Sequence, residues 1–224
     1  MGRRWKILLV VGFTIAVVDQ WTKFLAVKHL TPGIQRAHLG ATGPITDAER
    51  ERVLGELSLG QQLGYFYGSV KAPCRPQMSR CQTIQVVDGF WAHRYVENPG
   101  AAWGLLANAS DNLRVPFFIL VSIGAIAFIF SFFRKLQEDQ LLLISSLSLV
   151  FGGAIGNFID RLHLSYVIDF IDWYVGTSHW PTFNFADAAI TSGVALLVIE
   201  WIRDALRARA QKTAQKPSSA GSPS

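Results

Sequence analysis

The sequence predicts a mainly α, polytopic membrane protein: four transmembrane helices, both termini inside, and an outside segment holding a short amphipathic helix and a small β region. Three observations predict it. Half of the 224 residues are hydrophobic and only 17% are charged, too apolar a balance for an average soluble domain. Four apolar runs approach the about 20 residues that cross a bilayer core. The Lys and Arg residues of both termini and of the tightest loop fall on one side of those runs, which marks that side as cytoplasmic.

The first span is about 6–27, "KILLVVGFTIAVVDQWTKFLAV". With Arg3, Arg4 and Lys6 ahead of it, it resembles a signal peptide. However, Asp19 and Lys23 stand where small cleavage-site residues belong, so an uncleaved span is expected. The outside segment 28–114 follows, with an insertion over about 31–85. Within it "TDAE" (46–49) has the form of a capping box, Thr46 as N-cap and Glu49 reaching back. Val53, Leu54 and Leu57 then supply the apolar face of a short helix. "IQVVDGFWAHRYVEN" (84–98) carries β-formers around a turn at Gly89 and reads as strand. Cys74 and Cys81 lie between these elements; outside, in an oxidising compartment, they are expected to pair.

Spans two (about 115–133) and three (about 141–160) are joined by a tight turn holding Arg134 and Lys135. A second outside loop, 161–185, leads to span four (about 186–202). Residues 1–203 form one membrane-embedded domain. The basic tail 204–224, ending "KPSSAGSPS", is expected to be disordered. The net charge of +5 flanks apolar runs without interleaved aromatic platforms, which argues against nucleic acid. No His-Glu-x-x-His or Cys/His cluster is present, so no metal or other cofactor is expected. The histidines at 29, 38, 93, 163 and 179 share no periodicity and read as surface residues.

The informative residues are polar ones in apolar surroundings, where they are costly. Asp19 lies roughly 20 Å along span one at 1.5 Å per residue, and Lys23 follows one turn later on the same face. Asn157, Asp160 and Arg161 end span three, after the glycine-rich "GGAIGN" that permits close helix contact. Asn184 and Asp187 open span four. Taken alone, Asp187 is a helix-start carboxylate facing free N–H groups. Asp169 lies in the second outside loop, and Asn98 lies in the first outside segment. All of these can reach one layer at the outer interface. An ion path would need polar groups at several depths, and spans two and four offer almost none across their middles, Glu200 near the inner end excepted. Two carboxylates on separate elements can share a proton, one acting as base on water and the other as acid toward a carbonyl. The residues leave open whether Asp160 or Asp169 partners Asp187.

Four blocks, "VVDQWTK" (17–23), "ENPGAAWGLL" (97–106), "GGAIGNFIDRLHLSYVIDF" (152–170) and "FNFADAAIT" (183–191), resemble in order the signature blocks of bacterial lipoprotein signal peptidase, or signal peptidase II. The resemblance implies an aspartic endopeptidase of the bacterial inner membrane. It would cut prolipoproteins just before a diacylglyceryl-modified cysteine, with its active site near the periplasmic face. It implies Asp169 and Asp187 as the catalytic pair. Asp19, Lys23, Asn98, Gly153, Asn157, Arg161, Asn184 and Ala186 fall on supporting positions. Prolipoproteins, membrane lipids and globomycin-type inhibitors are the implied partners, and a monomer is expected. Asp160 is left a structural role, paired with Arg161, and Asp172 is left as a solvated loop residue. Three departures stand out, the mildest being Trp103 where the family commonly has Phe. The 31–85 insertion is longer than usual, and reads as a tolerated surface insertion, an access element or a partner site. Ser165 stands where the family usually has glycine.

Overall fold

The computed structural model describes residues 2–70, 81–100 and 110–214. Its long helices are α1 (Arg3–Leu30), α5 (Asp111–Phe133), α6 (Leu141–Leu164) and α7 (Phe185–Ala214). All four are long and apolar enough to cross a membrane, and the chain is a multi-pass membrane protein. Helix α6 lies against α1, α5 and α7. One core cluster, Leu8, Ile129, Phe133, Ile144 and Leu147 with Leu136, closes the end of the bundle nearest the chain termini. There Arg4 donates to the Leu136 carbonyl and its amide meets Glu138 Oε2 at 2.8 Å.

Helix α7 corrects the expected tail. It continues to Ala214, because 203–214 is rich in Ala and Arg, strong helix formers. Ion pairs Arg203–Glu200 (3.1 Å) and Arg207–Asp204 (3.3 Å) at i, i+3 add to it. Residues 215–224 lie outside the described residues.

The insertion holds three helices where one was expected: α2 (Gly33–Leu39), α3 (Asp47–Glu56) and α4 (Leu59–Gly68). Helix α3 begins with the Thr46–Glu49 capping box. Helix α4 begins with a second one, Ser58–Gln61. The three helices are not a surface appendage. Ile34, Val53, Leu57 and Phe66 join one core with Phe24 and Val27 of α1, Leu164 of α6 and residues of the sheet.

The sheet has four antiparallel strands in the order β1 (Thr83–Val87), β2 (Trp91–Asn98), β3 (Val167–Val175), β4 (Ser178–His179). The β1–β2 hairpin turns at Gly89, φ 76°. Strands β3 and β4 fall in the 161–185 region, where the sequence predicts a loop. Helix α6 passes into β3 through Ser165, at φ 69° in the left-handed region. That conformation suits glycine, so the departure at Ser165 costs backbone strain without changing the path. Cys81 is disulfide-bonded; Cys74 lies outside the described residues.

Candidate active site

A buried charge cluster forms where α1 crosses α6. Lys23 and Asp19 are fully buried and Asp160 is 1% exposed. Lys23 Nζ lies 2.7 Å from Asp19 and 2.9 Å from Asp160. An unpaired charge here would be very unfavourable, and the cluster survives because its remaining atoms are also satisfied. Asp19 Oδ1 accepts from the Ala186 amide at 2.9 Å. Asp160 accepts from Gln20 Nε2 at 2.7 Å and from the Ile168 amide at 3.0 Å. The expected Asp160–Arg161 pairing is therefore corrected: adjacent helical residues point to different faces, and Asp160 turns to Lys23. Arg161 faces the other way, with its guanidinium 5.2 Å from the Phe118 ring centroid and Nη1 donating to the Asn157 carbonyl at 3.4 Å.

The glycines of α6 permit this approach. A Cβ at Gly156 would sit 2.5 Å from Asp19 Oδ2, and one at Gly153 would sit 2.5 Å from the Ala186 carbonyl. Both neighbours are fixed, so both positions require the missing side chain.

Asp169 and Asp187 arrive from different elements and are joined by two asparagines. Register places Val96 opposite Asp169 and Asn98 opposite Val167. From the end of β2, Asn98 Nδ2 donates to Asp169 Oδ2 at 2.9 Å. Asn184 is the N-cap of α7: its side-chain oxygen accepts from the Asp187 amide at 2.9 Å, and Asp187 Oδ2 accepts from the Asn184 amide at 3.2 Å. Asp187 thus does carry the helix-start role. Asn184 Nδ2 also donates to Asp169 Oδ1 at 2.7 Å and to Asn157 Oδ1 at 3.1 Å. Asn157 Nδ2 in turn donates to Asp187 Oδ1 at 2.8 Å. Lys23 completes the chain by donating to Asn157 Oδ1 at 2.9 Å.

The two carboxyls differ in setting. Asp169 is 2% exposed, and Asp187 is half-buried. Burial, and then the charge of Asp187, raise the Asp169 carboxyl to about 7, against the opposing hydrogen bonds of Asn98 and Asn184 and the charge of Lys23. Such a pair can hold one proton and one negative charge side by side. Among the described residues no group of three metal-ligating side chains occurs.

Asp19, Lys23, Asn98, Asn157, Asn184 and Ala186 thus all touch the two aspartates or the cluster behind them, and Gly153 lies against Ala186. Arg161 reaches them through the Asn157 carbonyl. Gln20 was missed, although a polar residue three before Lys23 shares its helix face. Asp172 is corrected. It is 2% exposed, not solvated, because β2 and β4 bring Arg94 and His179 to it.

A family model described as signal peptidase (SPase) II matches residues 70–203. A lipoprotein signal peptidase of Anaeromyxobacter sp. is 43% identical over 199 residues, 88% of this chain and 84% of the relative. Another, from Geobacter sulfurreducens, is 47% identical over 155 residues, 69% of this chain and 91% of the relative. A solved structure described as a bacterial membrane enzyme shares the fold with a TM-score of 0.56 at 26% identity, over 88% of this chain and 93% of that one.

Proposed function

This chain belongs to the signal peptidase II family, and on that premise we propose that it cleaves prolipoproteins by an aspartic mechanism run by Asp169 and Asp187. The observation that carries the reading is the amide bridge: Asn184 and Asn157 link a deeply buried carboxyl to a half-buried carboxylate. Asp187, accepting two N–H donors, is the ionised base that takes a proton from water. Asp169, held in its acid form by burial, gives its proton to the carbonyl oxygen as the water attacks. The tetrahedral gem-diol then collapses: the C–N bond breaks as Asp187 passes its proton to the leaving amine, and Asp169 takes back a hydroxyl proton as the C=O re-forms, which restores both carboxyls. Asn98, Asn184 and Asn157 keep both carboxyls oriented. Lys23 holds Asn157, and with Asp19 and Asp160 it locks α1, α6 and α7 together behind the pair.

The substrate reading is a prolipoprotein carrying a diacylglyceryl cysteine, cut just before that cysteine. Acyl chains resting in the bilayer beside the helices would deliver the scissile bond already positioned. Arg3, Arg4, Lys6, Arg134 and Lys135 gather at the end opposite the sheet, which supports an inner-membrane orientation with the site toward the periplasm. The expected acting form is a monomer. Globomycin-type inhibitors are expected to occupy the same cleft.

The test is cleavage of a diacylglyceryl-modified prolipoprotein in detergent by the wild type, Asp169→Asn and Asp187→Asn, with a chelator arm. General acid–base groups of this kind contribute about 10²–10⁴-fold, and each variant should lose at least that much while remaining folded. Near-normal cleavage by either variant, or loss of wild-type cleavage with chelator, would remove the proposal.

A further inference from the structure

Beyond the two aspartates, a second polar cluster sits on the same strand. Asp172 of β3 has a side chain only 3% exposed, and both its oxygens face His179 Nδ1, at 2.9 and 3.0 Å. Arg94 Nε of β2 lies 3.3 Å away, and its Nη2 donates to Thr182 Oγ1 at 3.2 Å. His179 and Thr182 belong to the return segment 178–184, the stretch of chain that connects the sheet to the N-cap of α7.

The seating of that segment determines where Asp187 stands relative to Asp169. Its near end is fixed by backbone bonds: the Phe170 and Ile171 amides both donate to the Phe183 carbonyl, at 3.1 and 2.8 Å, and the Phe183 amide returns one to Ile171 at 3.1 Å. Asp169 and Asp172 bracket those two residues. Its far end is fixed by the Trp180 amide on the Trp173 carbonyl at 2.8 Å and by the Asp172 cluster. A buried carboxylate needs its donors, so His179 and Arg94 are pulled onto β3 and the return segment comes with them.

We propose that Asp172, His179 and Arg94 form a positioning clamp that fixes the separation of Asp169 and Asp187 during peptide cleavage. The clamp touches neither substrate nor the reacting atoms, and it rests on the reading of Asp169 and Asp187 as the catalytic pair. A small displacement of a catalytic group is enough to slow a reaction strongly.

The experiment compares wild type, His179→Ala, His179→Asn, Asp172→Ala, Asp169→Asn and Asp187→Asn on the prolipoprotein substrate across pH, with thermal unfolding alongside. An asparagine amide can stand at the Nδ1 position, so His179→Asn keeps the donor. The expected result is a kcat about tenfold lower for His179→Ala, with KM within about twofold, and recovery in His179→Asn. The alkaline limb of kcat should also move to lower pH in His179→Ala. Asp169 is faced by Asn98 from β2, Asn184 and Asp187 from α7, Lys23 from α1 and Arg161 from α6. A looser pair admits water and distances Asp187, and both changes let Asp169 release its proton sooner. Wild-type kcat and limb in His179→Ala, beside inactive aspartate variants, would overturn the clamp alone, even with a lowered unfolding temperature. Should Asp172→Ala fail to fold, the half-exposed His179 pair still decides the matter. Active Asp169→Asn and Asp187→Asn would overturn the catalytic reading, and the clamp with it.

Discussion

An acid and a base in one site must hold opposite protonation states, and the neighbours of each carboxyl set which is which. Asp169 is raised from 3.8 to about 7, chiefly by burial and then by the charge of Asp187. Below that value it holds the proton that the proposed mechanism requires, and above it the proton is lost. Cleavage should therefore decline as pH rises through about 7, and a pH profile of kcat on the lipidated substrate measures it; a rate that stays flat to high pH would remove Asp169 as the acid. The linkage carries its own sign. From about pH 4 to 7 the folded protein binds a proton that the unfolded chain has released, so this group makes stability fall as pH rises. Most of the gathered residues could be read from sequence, because Asp19, Lys23, Asn157 and Asp187 are polar groups in apolar runs and need partners. Choosing between Asp160 and Asp169 was not possible from the residues, since it depends on where the chain goes after α6. The burial of Asp172 was hidden for the same reason: its partners arrive from β2 and β4, 78 residues before and 7 after.

Helix α6 is the element that allows the others to meet. Its glycines face two neighbouring helices, α1 and α7. Gly152 lies against Gly12 and Ile15 of α1, Gly156 against Asp19, and Gly153 against the Ala186 carbonyl of α7. Gly153→Val places two methyl groups where no atom fits, and the obstacle is backbone, which does not yield. Overpacking of this kind costs about 1–3 kcal/mol, and the strain falls on the α6–α7 contact that aligns Asn157 with Asp187. The variant should unfold at lower temperature in detergent and cleave at least tenfold more slowly. Gly124→Ala in α5, where a Cβ meets nothing within 4 Å, should change neither; equal behaviour of the two variants would show that the close approach is dispensable. The four spans were legible from hydropathy alone, and α3 from its capping box. Helix α4 carried the same device in Ser58 and Gln61 and could have been found by it. Strand β3, "VIDFIDWYV", stands where a loop is expected, and its β-branched and aromatic residues are the signal for a strand there.

At the scale of the whole molecule, the insertion and the proposed catalytic region share one core. Phe66 of α4 is 1% exposed and meets Phe24 of α1 edge-on at 5.8 Å. The same cluster contains Leu164, where α6 ends, and Ile168 and Phe170, which flank Asp169 on β3. Tyr67 adds a polar link, its hydroxyl donating to Gln20 at 3.1 Å, beside the Lys23 cluster. An insertion merely tolerated at the surface could be altered without consequence; one that fills this core could not. A buried Phe→Ala change costs about 3–5 kcal/mol, and here the cavity would open in the core that also holds the strand carrying Asp169. Phe66→Ala should therefore lower the unfolding temperature and reduce cleavage together. Leu59→Ala on the same helix, where the side chain is 50% exposed, should do neither. Thermal unfolding in detergent and kcat on the lipidated substrate separate the cases. Wild-type stability and rate in Phe66→Ala would return the insertion to the surface, whereas a loss confined to Phe66 makes α2–α4 a structural part of the enzyme.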